Sequence, residues 1–402
     1  MSLNAEKLFS ERALSFRGSE IRAIQKLVNS PEIVSFVGGM PDERLFPVDR
    51  VMEATMFVLR EYGQESLQYG STEGLKKLRV LLMDRMANEG IKDLSLDNII
   101  ISTASQQGLS LAAQVFVNPG DTVIVEDPSY VGGIQAFASM QAKFCPIPLD
   151  SDGMKMDVLE DKLKELQKAH IFPKLIYTIP NFQNPAGVTM TLERRKKLIE
   201  LAHTYGLLIV EDDPYGEVRF EGESIPSLLA LGGKEYVIAL RTFSKISFPG
   251  LRLGWIVARE DVMKKFIVGK QAADLCAPND AQYLAYEFVS RGWLDEYVAV
   301  VRREYLKKKN AMISALEQYF PAGTSWTNPQ GGLFVWVKVP ESIDTAVMLR
   351  EAINAKVAYV TGIAFYPLRD DNCHMRLNFS AVDPEQITEG IHRLGDLLKT
   401  KI

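Results

Sequence analysis

The feature that most constrains this chain is a rhythm from about residue 95 to 260, where short, continuously apolar runs alternate with helical patterns. The runs are Ile99–Ser102, Thr122–Val125, Phe144–Ile147, Leu175–Ile179, Leu207–Val210, Val237–Leu240 and Gly254–Val257. A strand that is apolar at most positions, not only at every second one, suits a sheet covered on both faces by helices. These seven runs therefore predict an α/β domain with a mostly parallel sheet. Ligands in such sheets bind outside the carboxyl ends of the strands. Residues that directly follow a run thus carry most of the functional information.

After about residue 285 the texture changes. A long charged helical stretch from near Trp293 to Phe320 leads into Gly331–Val337, which alternates and is expected to be a half-exposed strand. We expect three parts: an N-terminal arm and helix over 1–45, a large domain over 46–285 and a small α+β domain over 286–402. The arm is expected to pack with the small domain or cross the mouth of the site.

Of the 402 residues, 47% are hydrophobic and 24% charged, the balance of an ordinary globular protein. A net charge of −5 supplies no positive field to hold nucleic acid. The basic runs Arg194–Lys197 and Lys307–Lys309 lie in amphipathic stretches and are expected to be solvated helix faces. Cys145, Cys276 and Cys373 are far apart and form no CxxC pair, so no disulfide framework or zinc-cysteine site is expected. The four histidines show no metal-ligand spacing, and no metal is expected. Met1–Ser10 holds no signal-like apolar region, and no apolar run approaches a membrane span. A reducing cytoplasm fits this composition, with no nucleic-acid or membrane partner.

Strand ends carry the unusual residues. Val237–Leu240 runs on into Arg241-Thr-Phe-Ser-Lys245, with Arg252 seven residues beyond the lysine. Desolvating an ammonium is costly, so a lysine at the end of a buried strand makes sense when the amine is neutral or bound as a Schiff base. A Schiff base needs an aldehyde, which pyridoxal 5′-phosphate (PLP) supplies, and Ser244 and Arg252 would hold its phosphate. Taken alone, Lys245 reads as a loop lysine. Ile99–Ser102 leads to Thr103-Ala-Ser-Gln-Gln-Gly108, small and polar residues that open a helix and leave backbone N–H groups for a phosphate. By itself a Ser or Thr there is a cap. Leu175–Ile179 leads to Pro180–Gly187, a turn whose Asn184 amide would meet a phenolic oxygen. Leu207–Val210 leads to Glu211-Asp-Asp-Pro-Tyr215. Those carboxylates read as a metal cluster, as a helix N-terminus, or as one carboxylate, Asp212, pairing with a pyridine nitrogen while Tyr215 meets the phenolic oxygen. Tyr130 follows another strand and would stack on a ring.

Together and in this order, these segments resemble the fold-type I PLP-dependent aminotransferases of class I/II. The motifs are Asn184-Pro-Ala-Gly187, Asp212 with Tyr215, and Ser244-Lys245 with Arg252. The likeness extends to Gly38–Pro41, Phe46-Pro47, Gln68-Tyr69-Gly70, Glu73-Gly74 and Met375–Phe379. Ser19–Arg22, Ser105–Gly108, Glu211–Tyr215 and Gly331-Gly332 look most like the branch of 2-aminoadipate, kynurenine and broad aromatic aminotransferases. The resemblance implies a fold-type I transferase fold, with Lys245 carrying the cofactor and shuttling the proton, Asp212 on the ring nitrogen, and Asn184 and Tyr215 on the phenolic oxygen. It also implies Tyr130 stacked on the ring, and Ser105, Gln106, Thr242, Ser244 and Arg252 on the phosphate. Arg376 would bind the substrate α-carboxylate as a fork and Gly39 would let backbone approach the substrate. Tyr69 would reach the phosphate of a partner subunit, which makes the expected assembly a homodimer. About forty residues before Phe46-Pro47 are too few for the DNA-binding module of related transcription regulators.

The implied reaction is ping-pong transamination between an L-amino acid (2-aminoadipate, aromatic or branched-chain) and 2-oxoglutarate. Arg22, on the amphipathic stretch Ile21–Leu27, would meet a distal carboxylate or stay a solvated helix arginine. Three alternatives remain: a PLP-dependent lyase, a narrow aromatic or branched-chain aminotransferase, and a ligand-sensing protein that keeps the fold.

Overall fold

The computed structural model describes every residue except 1, 2, 15, 17, 19, 29 and 370. Ser19, quoted in the resemblance above, lies outside the described residues. After a short strand in the arm, β1 (Val34–Ser35), eight strands form the large sheet. They are β2 (Ile99–Ser102), β3 (Thr122–Asp127), β4 (Lys143–Asp150), β5 (Gly153–Met154), β6 (Leu175–Thr178), β7 (Leu208–Asp212), β8 (Val237–Thr242) and β9 (Gly254–Val257). Their order is β2-β9-β8-β7-β6-β3-β4-β5. The run β8-β7-β6-β3-β4 is parallel, while β9 and β5 pair antiparallel to their neighbours. All seven expected strands form. The eighth, β5, folds back on the end of β4 through a tight turn at Ser151-Asp152. Two residues are too short for a periodic signal, which is why the sequence shows seven strands and the sheet has eight.

The strands β2, β6, β8 and β9 are buried at every position. Helices such as Ala104–Phe116 and Leu192–Tyr205 supply buried apolar faces, and the main core runs through this layer. A second, four-stranded sheet has the order β10 (Ser325–Trp326), β11 (Phe334–Lys338), β14 (His374–Asn378) and β13 (Val360–Thr361). In it β11 is buried over its first four residues, not half-exposed. Phe334 lies edge-on to Tyr215, and Trp336 packs edge-on to Phe365, so the strand is covered where it was expected to face water. The long helix spans Trp293–Tyr319.

Two basic runs also depart from expectation. Arg195 is fully buried and donates to the carbonyls of Met190, Pro226 and Pro180 and to Asn181 Oδ1. Lys308 is buried, donating to Asp42 Oδ2 (2.5 Å) and the Ser380 carbonyl (2.7 Å), and Lys309 is buried beside Glu221. Arginine and lysine bury well when each donor finds an acceptor, and that pairing is invisible in a charge run.

The arm joins the small sheet. β1 runs parallel to β12 (Val357–Ala358), and the helix Glu20–Leu27 sends Ile24 into a cluster with Val28, Val37, Trp336, Val360 and Phe365. Ile21, Arg22 and Gln25 of the same helix line the cavity described next.

Candidate active site

At the carboxyl ends of β3, β6, β7 and β8 lies a cavity of about 670 Å³. It is lined by Arg22, Gly39, Ser105, Gln106, Tyr130, Asn184, Asp212, Tyr215, Thr242, Ser244, Lys245, Arg252 and Arg376. Every candidate residue from the sequence is present except Tyr69.

One part of the cavity gathers groups able to meet an anion. The helix Ala104–Phe116 begins there, with no side-chain cap on its first amides. Thr103 turns its hydroxyl to Asp274 instead (2.6 Å). Ala104 holds φ at +59°. Ser105 and Gln106 of this helix start line the cavity together with Ser244 and Arg252. Thr242 Oγ1 accepts from the Ser244 N–H (3.1 Å) and lies 3.0 Å from its hydroxyl, which orients the serine. Uncapped helix N–H groups, two hydroxyls and a guanidinium are the kinds of group that can hold a phosphate.

The three carboxylates after β7 go three ways. Glu211 is buried on the far side and accepts from the Leu228 N–H (2.7 Å) and from Arg241 (3.2 Å). Asp213 accepts from Asn181 Nδ2 and the Gly216 N–H. Only Asp212 faces the cavity, as strand alternation requires once Glu211 points away. Its Oδ2 accepts from the Tyr177 hydroxyl (3.0 Å), and its Oδ1 is buried without a partner among the described residues. Burial, with the charge of Asp213 adding, pushes the Asp212 carboxyl up to about 7.

Lys245 lines the same cavity, partly buried, and donates from Nζ to the Gly39 carbonyl (2.6 Å). Burial, then the positive charges of Arg376 and Arg252, bring its amine down to about 8. Arg376 is buried on β14, donating to Asn184 Oδ1 (3.0 Å) and the Val37 carbonyl (2.8 Å), with the Phe334 ring 4.1 Å from its guanidinium. Its Nε has no partner among the described residues. Burial pulls this guanidinium down to about 10, which leaves it charged at neutral pH. Asn184 Nδ2 donates toward the Tyr215 hydroxyl (3.4 Å).

An unpaired buried polar atom costs about 1–3 kcal/mol. Two residues of one cavity, a carboxylate and a guanidinium each with an unpaired buried atom among the described residues, suit a ligand pair that brings a protonated ring nitrogen and a carboxylate. With the Lys245 amine, two hydroxyls and an uncapped helix start lining the same cavity, the residues fit PLP and an amino acid. The aminotransferase class I and II family model matches residues 37–394. The chain belongs to the class I and II aminotransferases.

This PLP-dependent aminotransferase is 45% identical over 401 residues to the aromatic-amino-acid aminotransferase 1 of Thermococcus litoralis, covering 100% of this chain and 96% of that one. It is similar to the crystal structure of Pyrococcus horikoshii kynurenine aminotransferase in complex with PMP, with a TM-score of 0.96 and 44% identity over 99% of this chain and 98% of that one. It also resembles the α-aminoadipate aminotransferase of Thermus thermophilus, complexed with N-(5′-phosphopyridoxyl)-L-leucine. There the TM-score is 0.91, with 36% identity over 99% of each chain. Among the described residues of the aminotransferase, no helix is long and apolar enough to cross a membrane.

Tyr69 of the aminotransferase is 78% exposed and lies outside the cavity of its own chain. Sequence reasoning missed Tyr177, hidden in an apolar run, and Phe334, under the Arg376 guanidinium. It also missed a grouping outside the cavity: Asp371, Cys373 and His374 bring donor atoms within 4.8 Å of one another, with His374 Nδ1 2.5 Å from Asp371 Oδ1. The shared histidine-carboxylate bond accounts for that grouping. The spacing of two and one residues gave no metal signature.

Proposed function

We propose that this cavity holds PLP between Lys245 and the helix start at Ser105, and exchanges an amino group between an L-amino acid and 2-oxoglutarate. The observation that carries this is three residues lining one cavity: Lys245, Asp212 and Arg376, the last two each keeping a buried polar atom, Oδ1 and Nε, without a partner among the described residues. PLP, when bound, supplies an aldehyde carbon that carries the amino group and a protonated ring that takes up the electron pair released at Cα.

The chain's own residues do the rest. Asp212 Oδ1 would accept a hydrogen bond from the ring N–H and so keep the proton on the nitrogen. Asn184 and Tyr215 hold the phenolic oxygen, Tyr130 stacks on the ring, and Ser105, Gln106, Thr242, Ser244 and Arg252 hold the phosphate. Arg376 grips the α-carboxylate and so fixes Cα beside Lys245. Lys245 would be the catalytic residue that takes and moves the Cα proton. An amine with a pKa near 8 does this close to neutral pH, and its fixed distance replaces a bimolecular encounter. The Gly39 carbonyl, accepting from Nζ, aims the amine.

The substrate class we infer is acidic (2-aminoadipate, glutamate), aromatic and branched-chain together. The names of the relatives support this, as does Arg22, which lines the cavity beside Ile21 and Gln25. Mixing the PLP-loaded protein with single amino acids, and following the cofactor absorbance as it converts to the pyridoxamine form, tests the reading. Conversion by 2-aminoadipate, glutamate and phenylalanine is expected. Conversion by aromatic substrates alone would narrow the enzyme, and an Arg22→Ala variant with unchanged acidic-to-aromatic preference would remove Arg22 as selector.

The assembly we propose is a cytoplasmic homodimer in which Tyr69 serves the partner's phosphate site. The helix Val48–Ser66 supports a dimer, because Val48, Met52, Met56 and Leu59 form an exposed apolar stripe at helical spacing near the exposed Leu67 and Tyr69. The three cysteines are free, in keeping with a reducing compartment. We keep the divisions 1–45, 46–285 and 286–402, supported by the packing of the arm on the small sheet.

A further inference from the structure

Tyr177 is the third residue of β6 and is completely buried. Register pairs it with Val210 of β7, two residues before Asp212. Side chains two apart on a strand share a face, so Tyr177 and Asp212 lie on one face as diagonal neighbours, within reach of a tyrosine. The Tyr177 hydroxyl donates to Asp212 Oδ2 at 3.0 Å. The second oxygen, Oδ1, is the one left bare. One hydroxyl thus occupies half of the carboxylate and fixes the direction of the other half.

The neighbouring helix makes room for this. A Cβ on Gly133, in the helix Val131–Ala138, would stand 2.4 Å from Tyr177 Cε1 and 2.7 Å from its hydroxyl oxygen. Only glycine leaves the ring where it is. Gly132 does the same for Tyr130, whose ring carbons lie 2.5 Å from the Cβ it lacks. Phe137 backs the Tyr177 ring at 5.7 Å between centroids. The charges that act on Asp212 are Asp213, which opposes its ionisation, and Arg241, which favours it. Tyr177 itself faces Asp212, Tyr130 and Glu126, and burial keeps its phenol protonated and therefore a donor.

We propose that Tyr177 is a positioning residue for Asp212, holding it ionised by one oxygen and turning the other toward the cofactor's ring nitrogen, in a space kept open by Gly133. The proposal rests on the reading of Asp212 as the partner of that nitrogen. A tyrosine that only packs would have no effect on the nitrogen's proton.

PLP carrying ¹⁵N at the ring nitrogen is loaded into the wild type and into Tyr177→Phe, Gly133→Ala and Asp212→Asn, and the nitrogen shift is followed with pH. Tyr177→Phe keeps the packing against Phe137 and removes one oxygen atom. Losing a hydrogen bond to a charged group should make the ring nitrogen release its proton about one pH unit lower, a tenfold weaker hold. The PLP dissociation constant should rise with it, and kcat should fall while KM for the amino acid stays, since Arg376 is untouched. Gly133→Ala keeps the hydroxyl but displaces the ring, and should move the nitrogen in the same direction. If Tyr177→Phe titrates with the wild type while Asp212→Asn loses the proton early, the Tyr177 proposal fails alone. If Asp212→Asn also titrates with the wild type, the reading of Asp212 fails and the proposal falls with it.

Discussion

Replacing Arg376 by lysine should damage substrate binding far more than a charge-conserving change suggests. The guanidinium makes two fixed bonds, to Asn184 Oδ1 and the Val37 carbonyl, and keeps one N–H bare. It also lies over the Phe334 ring at 4.1 Å and near Phe365 at 5.0 Å. A lysine ammonium cannot span both acceptors and still offer a planar fork to a carboxylate. The burial that brings the arginine down to about 10 would pull a lysine down further and leave part of it neutral. Losing one charge-assisted bond costs about 1.5–3 kcal/mol. Losing the contact with the ring adds about 0.5–2 kcal/mol. The combined loss, about 2–5 kcal/mol, is roughly 30-fold to 4,000-fold in kcat/KM. The assay compares phenylalanine with 2-phenylethylamine, which lacks the α-carboxylate, in single-turnover conversion of the PLP-loaded protein. Phenylalanine should lose the full factor and the amine should lose almost none, with PLP affinity unchanged. An equal loss for both compounds would show that Arg376 acts by shaping the site and would refute the carboxylate assignment.

Three further outcomes are expected. In the cofactor-free protein, acylation of Lys245 followed by peptide mass spectrometry should rise through pH about 8, because burial and the charges of Arg376 and Arg252 favour the neutral amine, and a rise only near the range of free lysine would overturn that electrostatic account. Lys308→Met should destabilise the fold by about 3–5 kcal/mol at neutral pH, since it strips a buried partner from Asp42. Burial raises the Asp42 carboxyl, but Arg44 and Lys308 outweigh that and hold its pKa below the usual 3.8, so the clamp is present above that pH and lost as pH falls through the lowered value. The gap between variant and wild type in denaturant midpoint should therefore narrow in acid and in the Asp42→Asn background, and a gap independent of both would remove the ion-pair explanation. Met52→Glu with Met56→Glu should yield monomers in sedimentation, whereas an unchanged assembly would place the interface elsewhere.

The parts of this protein that were legible in its sequence are those set by local pattern. Six of the seven strands could be read from apolar runs because strands buried on both faces tolerate no polar alternation, whereas β4 carries an apolar run although most of it is half-exposed. The residues that follow β3, β6, β7 and β8 could be singled out because sheet topology sends strand ends to one edge. Lys245 stood out because a cation after a buried strand needs a chemical reason. The two-residue β5 has no period to read. Arg195 and Lys308 appeared solvated because a basic run does not say which of its members meets an acceptor.

What only the tertiary structure decided is which atoms are left unpaired. The sequence offered three carboxylates in Glu211-Asp-Asp213, and strand alternation alone would allow Asp212 to face either side. Register with Tyr177, space at Gly133 and the bonds that Leu228 and Arg241 make to Glu211 leave Asp212 Oδ1 as the bare oxygen in the cavity. The same holds for Arg376, which arrives from the small sheet to meet Asn184 of the large one across 192 residues of chain. Hydrophobic periodicity is a property of neighbours in sequence, and it specifies elements. Hydrogen-bond satisfaction is a property of neighbours in space, and it is the omissions in that satisfaction that make the site.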